Sequence, residues 1–239
     1  MLTCGSLFTG IGGFDLGFEK AGIKILWQVE INEYYRRVLA RHFPGVQRFS
    51  DIHDCGAANL AQVDIICGGD PCQENSNARR AGSIRAPSLG GEFLRVVAEL
   101  RPRIVVRENP AAVRADAPWP WWRFRCQLES LGYAVLPFRL RACCIGADIR
   151  RDRLFLLAEL QKPECQGLER HEREELARAS EGRYDSDAAG SDRWSAPPRI
   201  CGATDRVAHR VERLRSLGNA VVPRVAQWIG AQIVAGTSV

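Results

Sequence analysis

Short apolar runs alternate along much of this chain with stretches in which apolar side chains recur at helical spacing. The runs at 2–7, 23–29, 47–50, 63–67, 103–106, 133–140 and 154–157 have the length and branched side chains of strands. Several lack the polar alternation of a sheet with one wet face. Between them, 14–21, 32–43, 91–100 and 119–131 carry the period of amphipathic helices. Strands separated by helices predict an α/β fold built on a mostly parallel sheet. The pattern breaks at 159–205, where charges of both signs dominate and Ser, Gly and Asp fill 180–195, with at most one short helix near 169–178. Helical spacing returns at 206–217, a turn follows at 218–223, and an apolar helix at 225–234 is expected to pack back on the first strand. The expected organisation is a main α/β unit at 1–158, a short polar insertion at 159–205 and a return to the main unit at 206–239.

Composition narrows the classes. A chain of 239 residues with 46% apolar content can bury a real core. No run approaches the roughly 18 consecutive apolar residues of a membrane span, and the N-terminal residues do not read as a signal sequence. A cytoplasmic, monomeric protein that does not contact membrane is expected. The nine cysteines include no C-x-x-C pair, and Cys143 and Cys144 are adjacent, so reduced thiols and no metal are expected. The formal charge is +5, and only Lys20, Lys24 and Lys162 are lysines among 33 basic side chains. Arginine's forked donor suits phosphate, although a GC-rich genome gives the same bias.

Three places carry candidate chemistry. The apolar run ending at Cys67 stops at Gly68 and Gly69, and Asp70, Pro71 and Cys72 follow. A thiol on a proline-stiffened loop at the end of a strand is a nucleophile candidate, against the plain alternative of a small buried residue. The stretch Phe8-Thr9-Gly10-Ile11-Gly12-Gly13 is a glycine turn between a strand and a helix, where backbone amides can meet a nucleotide-like cofactor. Glu30 closes the second strand about 20 positions later, where such folds hold ribose hydroxyls. Asp51, closing the third, could accept from an adenine amino group or be a surface acid. Glu108 stands at the end of the fifth strand, before Asn109 and Pro110, and points a carboxylate to the same edge as Cys72. Trp119, Trp121 and Trp122 read as packing residues rather than a base-stacking platform.

In order, FTGIGGFDLGFEKAG, Glu30, Asp51-Ile52, GGDPCQ, RENP, RRDRLF and LGNAVVP resemble the blocks of the DNA (cytosine-5)-methyltransferases, over all but the polar insertion. The resemblance implies a Rossmann-like methyltransferase fold, S-adenosylmethionine as methyl donor and a cytosine flipped out of DNA as acceptor. It implies that Phe8, Gly10, Gly12, Glu30, Asp51, Ile52, Leu89, Asn219 and Val221 line the cofactor site. Cys72 would be the nucleophile, Glu108 the acid, and Arg151 and Arg153 the positioning arginines. The insertion would be a reduced target-recognition segment. Three positions depart from the family pattern: Asp70 replaces a usual Phe, Pro110 a Val and Ile149 a Gln. An unpaired Asp70 would raise the pKa of the neighbouring thiol. The rival readings are a cofactor- and DNA-binding member without catalysis, and methyl transfer to cytosine outside DNA.

Overall fold

The computed structural model describes residues 1–71, 89–110, 121–161 and 220–237. Cys72, Asn219, Trp119, the insertion beyond Gln161 and the helix expected at 206–217 lie outside the described residues. The first half runs β1 (Thr3–Leu7), α1 (Gly13–Lys20), β2 (Lys24–Val29), α2 (Glu33–His42), β3 (Gln47–Phe49) and β4 (Ile65–Gly68). Then come α3 (Gly90–Leu100), β5 (Ile104–Pro110), α4 (Trp121–Ser130), β6 (Tyr133–Arg141), β7 (Asp152–Leu160) and α5 (Pro223–Gly236). Short 3₁₀ turns at Ile52–Asp54 and Ala142–Ile145 were not legible as apolar periodicity.

The strands form one sheet in the order β3-β2-β1-β4-β5-β7-β6. Neighbours from β3 to β5 are parallel, and β7 runs antiparallel between β5 and β6. The order reverses between β1 and β4, so their C-terminal ends open a crevice where sheets of this kind bind ligands. Leu7 and Gly68 are register partners at that edge.

Alternation along the strands sends one set of side chains to each face. On one face Cys4, Ile65, Cys67, Ile104 and Val106 pack with Phe14 and Phe18 of α1 and Val225, Ile229 and Ile233 of α5. On the other, Leu7, Trp27, Ile66 and Val105 pack with Phe93 and Val97 of α3 and Phe124 and Leu128 of α4. Helix α5 shares its core with α1 as well as with β1, so the first strand alone does not define its seat. Apolar runs underestimated two strands. β5 continues through Arg107, Glu108 and Asn109 to Pro110, and β7 begins at Asp152, because the two pair residue by residue as far as Pro110 opposite Arg153. Ladder hydrogen bonds carry charged residues into a strand that hydrophobic pattern alone would end.

Candidate functional site

The edge of β1 and β2 is built from backbone. Phe8 leaves β1 with φ 51° and Gly10 follows at φ 60°. A non-glycine residue in that left-handed region is uncommon, and Phe8 is held there with its ring stacked on Phe93 at a centroid distance of 6.3 Å. Around Gly10 no described residue beyond its chain neighbours lies within 4 Å of where a Cβ would stand. Gly12, at φ 86°, caps α1. A Cβ on Gly13 would lie 2.2 Å from the carbonyl oxygen of Val221, so only glycine lets the segment entering α5 pass against the start of α1.

Glu30 closes this arrangement. Its Oε2 accepts from the Gly10 amide at 2.7 Å and its Oε1 from the Asn32 amide at 2.8 Å. Arg36 Nη1 donates to the Glu30 carbonyl at 2.9 Å. Burial raises the Glu30 carboxyl above its ordinary range, against the opposing pull of both amides and Arg36. The next residue, Ile31, is 69% exposed, an apolar side chain left on the surface beside Glu30. Asp51 caps the first 3₁₀ turn: its Oδ1 accepts from the His53 amide at 3.0 Å and pairs with His53 Nδ1 at 2.7 Å. Those contacts hold the Asp51 carboxyl below its usual range and raise the His53 imidazole. Ile52 is buried in the core beside α3, and Leu89, at the N-terminus of α3, packs on the same cluster.

Sequence reading missed Asp15. This α1 carboxylate is fully buried, accepting from Ser6 Oγ at 3.1 Å and Gln28 Nε2 at 2.7 Å. Burial outweighs those donors and pushes its pKa up to about 6. The available signal was an acid between Phe14 and Phe18, on the arc of α1 that faces the core.

The edge of β5 and β7 is built from charged side chains. Glu108, 7% exposed, lies with Oε1 2.6 Å from Arg153 Nε, but the approach is off-line and neither atom makes a directed hydrogen bond. Burial raises the Glu108 carboxyl, and the charge of Asp70 adds to the rise; Arg153 and Arg151 oppose it. Arg151 is itself lowered from the usual guanidinium range by burial and by Arg153. Both arginines line a small cleft with Leu140, Phe155, Val221, Val222 and Val225, which joins the β7 edge to the segment that meets the glycine turn.

The loop leaving β4 runs beside this acid. A Cβ on Gly69 would stand 3.0 Å from Glu108 Oε2. Asp70 is not left unpaired: Arg107 Nε and Nη2 donate to its two carboxylate oxygens at 2.6 and 2.8 Å. Arg107 was passed over in the sequence, although an arginine directly after an apolar strand run and before the acid was visible there. Pro110 stays in the strand opposite Arg153, and Ile149 is exposed. Among the described residues no His, Cys, Asp and Glu cluster is arranged for a metal, and no helix is long and apolar enough to cross a membrane.

A mostly parallel sheet in this order, with a glycine turn at the reversal point, is the Rossmann-like fold of S-adenosylmethionine-dependent methyltransferases. The chain belongs to the C-5 cytosine-specific DNA methylase family, whose pattern it matches over residues 2–190. It is 34% identical over 168 residues to the Type II methyltransferase M1.HphI of Haemophilus parahaemolyticus, an alignment covering 65% of this chain and 45% of that protein. Against the Type II methyltransferase M.MspI of Moraxella sp it is 31% identical over 160 residues, covering 65% and 38%. The chain thus spans less than half the length of these two relatives. The crystal structure of the S. pombe Dnmt2 methyltransferase matches with a TM-score of 0.56 and 20% identity, covering 69% of this chain and 53% of that one, a likeness of fold.

Proposed function

We propose that this protein transfers a methyl group from S-adenosylmethionine to carbon 5 of a cytosine flipped out of DNA, through a covalent adduct with Cys72. The observation that carries the reading is Glu108: a buried carboxyl with a raised pKa, beside two arginines and against the loop that leads to Cys72. Family membership and the order of the motifs support the same reaction.

The donor set fits the cofactor. Open space beside Gly10 admits a ligand close to backbone, and Glu30 has acceptor capacity left on each oxygen after its amide bond. Phe8, Gly10, Gly12, Glu30, Asp51, Ile52, Leu89, Asn219 and Val221 would form that site, with exposed Ile31 beside the base. S-adenosylmethionine would supply an electrophilic methyl carbon.

Cytosine carbon 5 is too weak a nucleophile to react unaided, so the Cys72 thiolate adds to carbon 6 and delivers an electron pair toward carbon 5. The protonated Glu108 carboxyl donates to N3 and neutralises the charge that this addition develops. Arg151 and Arg153 stabilise the same charge near O2 and orient the ring. Once carbon 5 is methylated, with S-adenosylhomocysteine as the other product, loss of the carbon 5 proton to water re-forms the carbon 5–carbon 6 double bond and expels the Cys72 thiolate. N3 returns its proton to Glu108.

Purified protein, duplex DNA and cofactor labelled in the methyl group test this directly. Wild type is expected to label cytosine carbon 5, and Cys72→Ser to lose that labelling while binding cofactor normally. Near-normal transfer by Cys72→Ser would overturn the covalent route. Labelling of RNA or free nucleotide in preference to DNA would overturn the substrate assignment.

A further inference from the structure

Asp70 and Arg107 are charged residues only 8% and 2% exposed, and neither has a part in the steps above. They meet across β4 and β5, where Gly68 and Arg107 are register partners. The guanidinium takes the carboxylate as a fork, Nε to Oδ1 at 2.6 Å and Nη2 to Oδ2 at 2.8 Å. Its central carbon lies 3.9 Å from the centre of the Phe124 ring, and its buried Nη1 has no hydrogen-bond partner among the described residues. Stability alone does not account for such a pair, because apolar side chains of similar volume often do as well. What the fork adds is direction: two parallel bonds and a stacked ring set both distance and angle.

Direction matters here because side chains alternate. Glu108 points to the face where Arg153 lies, and Arg107 to the face of Phe124. The loop leaving β4 is matched to that alternation: Gly69 passes Glu108, and Asp70 turns to Arg107. Pro71 then restricts the chain, and Cys72 follows with its Cα no more than about 7 Å from that of Asp70, whatever the intervening conformation. A carboxylate so near a thiol opposes its ionisation unless neutralised.

We infer that Arg107 and Asp70 are positioning residues for the nucleophile: their fork ties the Cys72 loop to the strand that carries Glu108, and Arg107 cancels the charge that would hold the thiol protonated. The inference rests on Cys72 being the nucleophile.

The test compares wild type, Arg107→Lys, Arg107→Met and the double variant Asp70→Asn/Arg107→Met. Four readouts are followed: melting temperature, cofactor affinity, single-turnover methyl transfer, and alkylation of Cys72 by iodoacetamide across pH, read on its peptide by mass spectrometry. Among the described residues, Glu108, Arg151 and Arg153 are the other charges near Gly69 and Asp70, and none of them is substituted. Arg107→Met is expected to slow transfer by roughly tenfold to a hundredfold with cofactor affinity unchanged. It should also shift Cys72 alkylation to higher pH. The double variant should return alkylation to the wild-type profile but leave transfer slow, since charge is relieved and direction is not. Arg107→Lys should keep the alkylation profile but still slow transfer, by no more than Arg107→Met does, because a point charge cannot replace the fork.

An unchanged alkylation profile in Arg107→Met would overturn the neutralising role, whether or not the protein methylates DNA. Wild-type transfer by the double variant would overturn the positioning role, as would a parallel fall of cofactor affinity and rate in all variants. If Arg107→Met fails to fold, the lysine and double variants decide. Absence of methyl transfer in wild type would count against the proposed reaction, and the alkylation arm would still judge Arg107.

Discussion

Glu30 directly follows β2 and Glu108 lies near the C-terminal end of β5; both are buried, and both have their carboxyl raised by burial. Their partners differ in kind. Glu30 is closed by two backbone amides fixed within its own neighbourhood, Gly10 and Asn32. Glu108 faces a guanidinium that comes close without a directed bond and a second that is itself partly desolvated. The first carboxylate is pinned by one directed bond to each oxygen and keeps acceptor capacity for a ligand. The second leaves a carboxyl with unspent hydrogen-bonding capacity, as a proton donor needs. On the proposed reaction, one sheet edge separates holding from reacting by the partners it gives to two glutamates.

The largest expected effect probes the reacting end. Glu108→Gln keeps shape and loses the acid, so single-turnover transfer should fall by about 10²- to 10⁴-fold while cofactor affinity holds. Equal losses in rate and affinity would erase the distinction between the two glutamates.

The holding end should respond in the opposite way. Glu30→Ala frees the Gly10 and Asn32 amides and removes a charged acceptor worth roughly 1.5 to 3 kcal/mol, so calorimetry should show cofactor binding weakened by about tenfold to a hundredfold. Saturating cofactor should restore much of the rate. An unchanged dissociation constant would mean that Glu30 only pins the loop.

Asp15 sharpens the comparison, because it is fully buried on α1 behind the glycine turn and its two side-chain donors leave its carboxyl far above the ordinary range. Its folded pKa of about 6 lies above the ordinary aspartate value of 3.8, so the folded state binds the proton more tightly. Stability from this group is therefore present below pH 4 and is lost as pH rises toward 6, a difference on the order of 3 kcal/mol. Asp15→Asn should melt progressively higher relative to wild type as pH is raised from 4 to 7. A melting difference independent of pH would show that Asp15 is not protonated in the fold.

The smallest effect belongs to Arg95, which ties α3 to the turn after Asp51 by donating from Nη2 to the Ile52 and Cys55 carbonyls at 2.8 and 2.9 Å. Arg95→Ala should cost about 1 to 2 kcal/mol of stability and loosen cofactor binding slightly through Asp51, with transfer at saturation unchanged. A drop in saturated rate would extend the reacting end further than drawn here.

These residues also show what a sequence can tell. Glu30 was legible because it stands a fixed distance beyond a glycine turn, at the end of an apolar strand. Glu108 was legible because proline and a strand end framed it. Arg107 and Asp15 were not, since each breaks an apolar pattern and the partner that explains it lies on another strand: Asp70 beyond β4, and Gln28 on β2. The lengths of β5 and β7 were hidden for the same reason, their charged ends being held by each other's backbone. Pattern reads what one segment buries, and pairing across the sheet has to be seen.

The carbonyl of Val221 against Gly13 has a consequence for how the molecule is made. The glycine turn leaves the ribosome early, while the segment that closes it follows only after nearly all of the sheet has been translated. At roughly 5 to 20 residues per second, the first helix waits on the order of ten to forty seconds for its partner. During that interval Phe14 and Phe18 lack the cover of α5. On the proposed function, competence to hold the cofactor is therefore acquired late in synthesis, and until then the emerging chain leaves an aromatic face uncovered.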